Sequence, residues 1–163
     1  MIAPQTQEQT NWCWIACYLM VCSEYGVAVD EQCIVAQRAL GVADCCTDGS
    51  IPACNKTLDE NQVTAVFATG AFIAANMGSD EPSFRTALNS GQVLVMLSLP
   101  ASYHYILVAD YNAATQIYTI HDPQYATSTA ACFTDIQTAY GQPGGSIARA
   151  WAIRSTAART PTA

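Results

Sequence analysis

A single cysteine, Cys13, stands between two tryptophans in the stretch TNWCWIAC, at the start of a run with helical spacing. A thiol in the first turn of a helix lies near unpaired backbone N–H groups and the positive end of the helix dipole, and both favour the thiolate. A thiolate is the nucleophile of thiol-dependent acyl transfer. The sequence therefore predicts that Cys13 is a nucleophile. In a chain with eight cysteines, the alternative is that it forms one half of a disulfide.

The thiolate needs a base, and the chain has two histidines, His104 and His121. His104 is the first residue of a predicted strand, at an end where a cleft would lie. On the next strand, His121 and Asp122 point to opposite sides, so only one of them can face a given neighbour. Asp122 could accept from the second ring nitrogen and fix the tautomer, which makes His104 the base and His121 a bystander. The alternatives are a purely structural His104 and an Asp122 that only initiates a turn.

The oxyanion of a tetrahedral intermediate needs hydrogen-bond donors in addition to a backbone N–H at Cys13. A side-chain amide can supply another donor. Three glutamines precede the cysteine, Gln5, Gln7 and Gln9, and their spacing alone does not choose among them.

The segment QEQTNWCWIAC, followed by a His-led strand and an Asp-Pro strand, resembles the papain-like cysteine peptidases. It is most like the bacterial C70 and C39-like branch, which starts with Gln, five further residues and Cys-Trp. The resemblance implies that Gln7 is the oxyanion-hole glutamine, Cys13 the nucleophile and His104 the general base and acid. It also implies that Asp122 orients the histidine. The likeness extends from Gln7 to about Pro123.

Two positions beside the expected site concern substrate contact. Tyr103 precedes the histidine where many relatives have Gly, and it could narrow the substrate groove beside His104. Asp122 stands where the plant enzymes have Asn, but either side chain can accept from an imidazole N–H. Trp12 could edge the cleft or could serve only packing. We expect Trp12 and Tyr103 to be substrate-binding residues.

Disulfides are expected around the stretch DCCTDGSIPAC, which is rich in Cys, Asp, Gly and Pro and is typical of a loop. Cys45 and Cys46 are adjacent, and a bond between them would be strained, so each should bond to a different partner. Cys33 and Cys54 are the nearest choices. Such bridges indicate an oxidising compartment. We therefore expect a protein that is secreted or delivered outside the producing cell, with action in the cytosol of a target cell as an alternative.

The remaining cysteines bear on free thiols and on metal binding. A nucleophilic Cys13 leaves seven other cysteines, an odd number, so at least one more should be free. We expect this to be Cys17, as a buried apolar thiol one turn along the same helix. No C-x2-C pair with a matching second pair is present, so no metal site is predicted. The expected chemistry also requires no organic cofactor.

Helical patterns fill the first half of the chain and strand patterns the second. Helices are predicted over residues 13–25, from Asp30 as N-cap to Gly41, over 58–70, and over 79–91 with Ser79 or Asp80 as cap and Gly91 as the stop. Strands are predicted over residues 92–100, 104–112, 116–123 and 148–155. This order predicts an α+β fold with a cleft between its two halves.

With the resemblance, the expected architecture is papain-like. An N-terminal helical half that carries the nucleophile helix would pack against a C-terminal antiparallel sheet half. A single catalytic domain is expected over residues 1–155 and a disordered tail over 156–163.

Composition limits the partners. The chain has 163 residues, of which 51% are hydrophobic and 12% charged, which suits a domain that buries its own core. A formal charge of -7 with a single lysine leaves no basic stripe for a nucleic acid. No uncharged apolar run is long enough to span a membrane. The expected partner is therefore a protein or peptide substrate.

Three rival functions remain open at this point. The first is a toxin domain delivered into competing cells and restrained by a proteinaceous inhibitor or immunity protein. The second is an amidase or transamidase that uses the same thiol. The third is a disulfide-stapled binding module without turnover, in which all eight cysteines would pair.

Overall fold

The computed structural model describes residues 2–125 and 127–156, which form an α+β fold. The helices are α1 (Cys13–Glu24), α2 (Gln32–Leu40), α3 (Glu60–Thr69), α4 (Glu81–Leu88) and α5 (Phe133–Gln137), with a 3-10 turn over Ala43–Cys46. The strands are β1 (Phe72–Asn76), β2 (Gln92–Leu99), β3 (Ser102–Asn112), β4 (Ile117–His121), β5 (Ser128–Ala131) and β6 (Ser146–Ser155). They form one antiparallel sheet in the order β1-β6-β2-β3-β4-β5.

The helix that begins at Cys13 is buried on all sides. Every residue of α1 from Cys13 to Cys22 is buried, because the helix lies against β3 and also packs against α2 and α3. A helix that is apolar all round belongs in a protein core. Gly26 follows α1 with a φ of 67°, a left-handed conformation that glycine adopts without steric cost, so the predicted stop is confirmed.

Aspartate side chains cap two of the other helices, of which only α4 has a predicted cap. Asp59 accepts a hydrogen bond from the backbone N–H of Gln62, whose side chain bonds back in a capping box that starts α3. Asp80, one of the two caps proposed for α4, accepts from the backbone N–H of Ser83. The C-terminal stop of α2 at Gly41 is also confirmed, with a φ of 67°.

Two predicted helix boundaries are wrong. The N-cap of α2 is Glu31 instead of Asp30, whose carboxylate pairs with Arg38 at 2.8 Å. Helix α4 ends at Leu88, before the predicted stop at Gly91. A Cβ at position 91 would lie 1.9 Å from the Ile153 backbone oxygen, so glycine is needed there for contact with β6.

The sheet separates two hydrophobic cores. On one face, side chains such as Leu94, Tyr105 and Trp151 pack with α1 and its neighbouring helices. On the other face, residues such as Ile106 and Phe84 pack with α4 and α5. Strand β3 therefore contributes alternate residues to both cores, as the period-2 pattern of HYILVADYN predicts.

The predicted segregation of helices and strands is only approximate. Strand β1 lies between α3 and α4 in the chain, and α5 lies between β5 and β6. None of β1, β5 and α5 was predicted. The predicted tail over 156–163 lies outside the described residues except for Thr156. That residue is held, since its N–H and its hydroxyl donate to the Ala71 carbonyl at 2.9 and 2.8 Å.

The structure pairs Cys33 with Cys46 and Cys45 with Cys54. The first bridge joins α2 to the 3-10 turn, and the second closes the loop that follows it. The remaining thiols, at Cys13, Cys17, Cys22 and Cys132, are free. Cys17 is fully buried, as expected, and burial raises the pKa of its thiol.

Candidate active site

Cys13 is the first residue of α1, and its sulfur lies next to the backbone of strand β3. The preceding residue occupies the N-cap position without a side-chain cap, and the first turn contains no acidic residue. No carboxylate in that turn therefore offsets the positive end of the helix dipole near the sulfur. The sulfur accepts a hydrogen bond from the backbone N–H of Tyr105 at 3.4 Å, and Cys13 is only 1% exposed.

The loop over residues 42–57 is hydrogen-bonded to the segment that precedes Cys13. The backbone N–H of Asn11 donates to Asn55 Oδ1 at 2.9 Å, and the Asn11 side chain donates to the Asn55 carbonyl at 2.9 Å. The Trp12 indole N–H donates to the Cys54 carbonyl at 2.9 Å. Because Cys54 is bridged, the disulfide loop and the start of α1 form one connected unit.

His104 and Asp122 form a buried pair at the strand ends. His104 lies near the start of β3, and Asp122 is the first residue after β4. His104 Nε2 and Asp122 Oδ1 are 2.7 Å apart, and Oδ1 also accepts from the backbone N–H of Gln124 at 2.9 Å. With Nε2 engaged by Asp122, Nδ1 is the ring nitrogen left to interact with Cys13, which influences the pKa of the imidazole.

Opposing effects set the charge of the imidazole. Burial lowers the pKa of His104, but the hydrogen bonds to Asp122 and Cys13 and the charges of these groups outweigh burial and raise it to about 9. At neutral pH the ring is therefore predominantly an imidazolium. Cys13, His104 and Asp122 make a continuous buried chain of a thiol, an imidazole and a carboxylate.

Of the three candidate glutamines, Gln7 is hydrogen-bonded to the turn that follows Asp122. Its backbone N–H donates to the Pro123 carbonyl at 2.8 Å, and its side-chain Nε2 donates to the Thr10 carbonyl at 2.8 Å. An amide nitrogen carries two N–H groups, so one remains for another acceptor. Gln7 Oε1 is buried and has no hydrogen-bond partner in the described part of the protein.

The two predicted substrate-binding residues are placed differently. Trp12 is 1% exposed, and a Cβ on Gly49 would lie 2.7 Å from its ring, so the side chain packs in the core. The expectation that Trp12 edges the cleft is corrected, because the indole is enclosed by the disulfide loop. Tyr103 is 51% exposed and lines a cavity of about 310 Å³ together with Met96 and Arg149.

His121 lies apart from the buried chain. It is buried, its Nδ1 lies 3.2 Å from the hydroxyl of Ser128, and burial lowers its pKa. The ring is therefore neutral at physiological pH. The bystander role of His121 stays a prediction.

Two features of the site have no signal in the sequence. The Tyr105 N–H that bonds Cys13 is a backbone donor, which any residue except proline would supply. A larger cavity, of about 590 Å³, adjoins the His104–Asp122 pair and includes Tyr140 from the turn after α5. Tyr140 has a φ of 60°, which no residue pattern in its segment indicates.

Within 2–125 and 127–156, no three His, Cys, Asp or Glu side chains come together so as to hold a metal ion. In those same ranges, none of the helices combines the length and the apolar character that a membrane crossing requires.

Comparison with solved structures identifies the fold. The N-terminal peptidase C39-like domain of a toxin secretion ATP-binding protein from Vibrio parahaemolyticus superposes with a TM-score of 0.56 at 12% sequence identity. The match covers 93% of this chain and 100% of that domain. The chain has a peptidase C39-like fold. This likeness supports the papain-like architecture expected from the sequence. No protein-family model and no curated protein sequence matches the chain.

Proposed function

We propose that this protein is a papain-like cysteine peptidase that hydrolyses peptide bonds. The observation that carries the proposal is the buried cluster of Cys13, His104 and Asp122: the sulfur lies at a helix start, His104 Nε2 lies 2.7 Å from Asp122 Oδ1, and Cys13 helps to raise the pKa of the imidazole. A nucleophile, a base in contact with it and a third group that orients the base are the features of an activated thiol site. The C39-like fold supports the same class of reaction.

In the first half of the proposed reaction, the Cys13 thiolate attacks the carbonyl carbon of a peptide bond. The carbonyl oxygen becomes an oxyanion, which would be stabilised by the Cys13 backbone N–H and by the remaining side-chain N–H of Gln7. The His104 imidazolium then donates its Nδ1 proton to the departing amine. The C–N bond breaks, and the acyl group stays on sulfur as a thioester.

In the second half, the neutral His104 removes a proton from water, and the resulting hydroxide attacks the thioester carbonyl. The C–S bond breaks, a carboxylic acid leaves, and the thiolate–imidazolium pair is restored. Asp122 holds the Nε2–H of the ring throughout at 2.7 Å, so Nδ1 always faces the reacting atoms. Apart from the substrate and water, every group in this proposed cycle belongs to the chain.

A pair of matched serine substitutions tests the proposal. Cys13→Ser should abolish hydrolysis of casein and of unstructured peptides, because a hydroxyl in that place is a far weaker nucleophile than a thiolate. The control is Cys132→Ser, since Cys132 is a free, exposed thiol at the N-cap of α5, where serine also serves. Both variants should unfold at the wild-type temperature. Full activity in Cys13→Ser would end the proposal.

The compartment is part of the proposal. The two disulfides favour a protein that works outside the reducing cytosol, as a secreted enzyme. A peptide map under non-reducing conditions, made on protein from its natural source, checks this. Both bridges should be found closed.

A delivered toxin protease, restrained by an inhibitor or immunity protein, is the second candidate. It would use the same thiol chemistry, and it differs by acting in a reducing cytosol, where the bridges would open. Under that function, protein with all thiols reduced should keep its activity. An amidase or transamidase would be separated from a peptidase by comparing cell-wall fragments with casein as substrates. A non-catalytic module with all eight cysteines paired is disfavoured, because Cys13, Cys17, Cys22 and Cys132 are free.

A further inference from the structure

Gln32 is a buried glutamine that takes no part in the proposed reaction steps. It is the first residue of α2 and is 5% exposed. Its side-chain Nε2 donates to the Thr6 carbonyl at 2.6 Å, and its Oε1 accepts from the Glu8 backbone N–H at 3.0 Å. These two backbone groups belong to the residues on either side of Gln7. Gln32 therefore holds the backbone of the proposed oxyanion-hole glutamine from both sides.

This pair of hydrogen bonds requires an amide side chain. The Thr6 carbonyl needs a donor, and the Glu8 N–H needs an acceptor. A primary amide supplies both, whereas a carboxylate only accepts and an ammonium or guanidinium group only donates. A buried amide with both ends paired fixes its partners more tightly than a single hydrogen bond would. The chemistry at position 32 is therefore matched to the segment around Gln7.

The Gln7 segment also contacts the turn after Asp122. The Gln7 N–H donates to the Pro123 carbonyl at 2.8 Å, so residues 6–8 are hydrogen-bonded to α2 and to that turn. Helix α2 packs against α1, which begins at Cys13, and the bridge from Cys33 to Cys46 anchors its first turn. Through Gln32, the segment that carries Gln7 is thus fixed relative to the helix that carries the nucleophile.

We propose that Gln32 is a positioning residue of the oxyanion hole, which acts through Gln7 by fixing the backbone from which the Gln7 amide reaches the reacting carbonyl. The inference rests on the proposed peptidase function. A misplacement of about 1 Å in a reacting site can cost about 10²-fold in rate. Because the oxyanion forms only as the bond is attacked, the loss should fall on kcat and leave KM nearly unchanged.

A double-mutant cycle with Gln7 tests this assignment. Gln32→Met removes both hydrogen bonds and keeps a side chain of similar length. On an unstructured peptide, it should lower kcat by about ten- to a hundredfold, with KM within about twofold of the wild type. In the Gln7→Ala background, the same substitution should change kcat by less than about threefold, because the donor that Gln32 positions is already absent.

Gln37→Met is the matched control. Gln37 lies on the same helix, and its side-chain Nε2 donates to the Ala43 carbonyl in the 3-10 turn, so its bond does not involve residues 6–8. This variant should keep the wild-type kcat even if its melting temperature falls. Gln32→Asn is the second test variant, for use if Gln32→Met does not fold. Its amide is one methylene too short to reach both backbone groups, so it should show the same dependence on Gln7.

The outcomes separate the inference from the proposed function. If the wild type cleaves no peptide, the peptidase proposal fails and this inference fails with it. If Gln7→Ala keeps the wild-type kcat, the peptidase stands, but Gln7 and Gln32 lose their assigned roles. The positioning role is also overturned if Gln32→Met keeps the wild-type kcat, or lowers it by the same factor with and without Gln7. A loss confined to KM, or shared by Gln37→Met, would show a general structural effect and would likewise overturn it.

Discussion

The charge of His104 should make folding stability depend on pH in a defined direction. Raising its pKa from 6.5 to about 9 favours the folded imidazolium by about 3 kcal/mol, since each pKa unit is worth about 1.4 kcal/mol. Because the folded pKa lies above the unfolded one, this contribution is complete below pH 6.5 and is lost as pH rises through about 9. The free energy of unfolding should therefore fall by about 3 kcal/mol between pH 5.5 and 9.5.

Urea unfolding followed by tryptophan fluorescence at several pH values measures this change. His104→Gln should flatten the curve, and its amide can still donate to Asp122. His121→Gln is the matched control, because burial lowers the pKa of His121 and its contribution lies below pH 6.5. It should keep the wild-type decline between pH 6.5 and 9.5. Parallel curves for the wild type and His104→Gln would refute the thiol–imidazolium–carboxylate arrangement.

Three further experiments test other parts of the structure. Gln7→Ala should lower kcat by about 10²–10³ if its amide binds the oxyanion, whereas Gln5→Ala should leave kcat unchanged in steady-state assays. Replacing Cys45 and Cys54 together by serine removes a bridge that closes a short loop, and should lower the unfolding free energy by about 2–3 kcal/mol in urea titrations. Gly91→Ala should destabilise the fold in a thermal melt, because the new Cβ would lie 1.9 Å from a backbone oxygen of β6. An unchanged melting temperature would contradict that contact.

Much of the scaffold could be predicted because its signals are local. Asp59 and Asp80 occupy N-cap positions, and Gly26 and Gly41 end helices in the left-handed conformation. The alternation in HYILVADYN predicts which residues of β3 face each core. Such patterns act within a few residues of chain, so they can be interpreted without tertiary context.

The missed elements lack such signals. Strand β1 has only five residues, and its partner β6 lies more than seventy positions further along the chain. Helix α5 is also five residues long, too short for a helical period to appear. The buried position of Trp12 depends on a bridged loop that folds over it, and neither its type nor its neighbours indicate this.

The candidate site also contains some residues that the sequence could predict and others that it could not. The types and order of Cys13, His104 and Asp122 could be inferred from chemistry and from the resemblance. The Tyr105 N–H at the sulfur and the Tyr140 phenol near the carboxylate could not, because tertiary packing alone brings them there. Almost any residue can supply a backbone N–H donor, so the residue type at position 105 does not indicate one. Left-handed turn positions are recognised from glycine or asparagine, and Tyr140 is neither.

The protein contains both disulfide-bonded and free cysteines, and this affects how it can fold in an oxidising environment. Surroundings oxidising enough to close the bridges Cys33–Cys46 and Cys45–Cys54 would also threaten a reactive thiolate. Cys13 is nevertheless 1% exposed and enclosed by packed backbone. Under the proposed function, the same molecule carries two closed disulfides and a nucleophilic sulfur to which the folded chain limits access. The proposed peptidase would therefore need to bury Cys13 before an oxidant or another cysteine reacts with it.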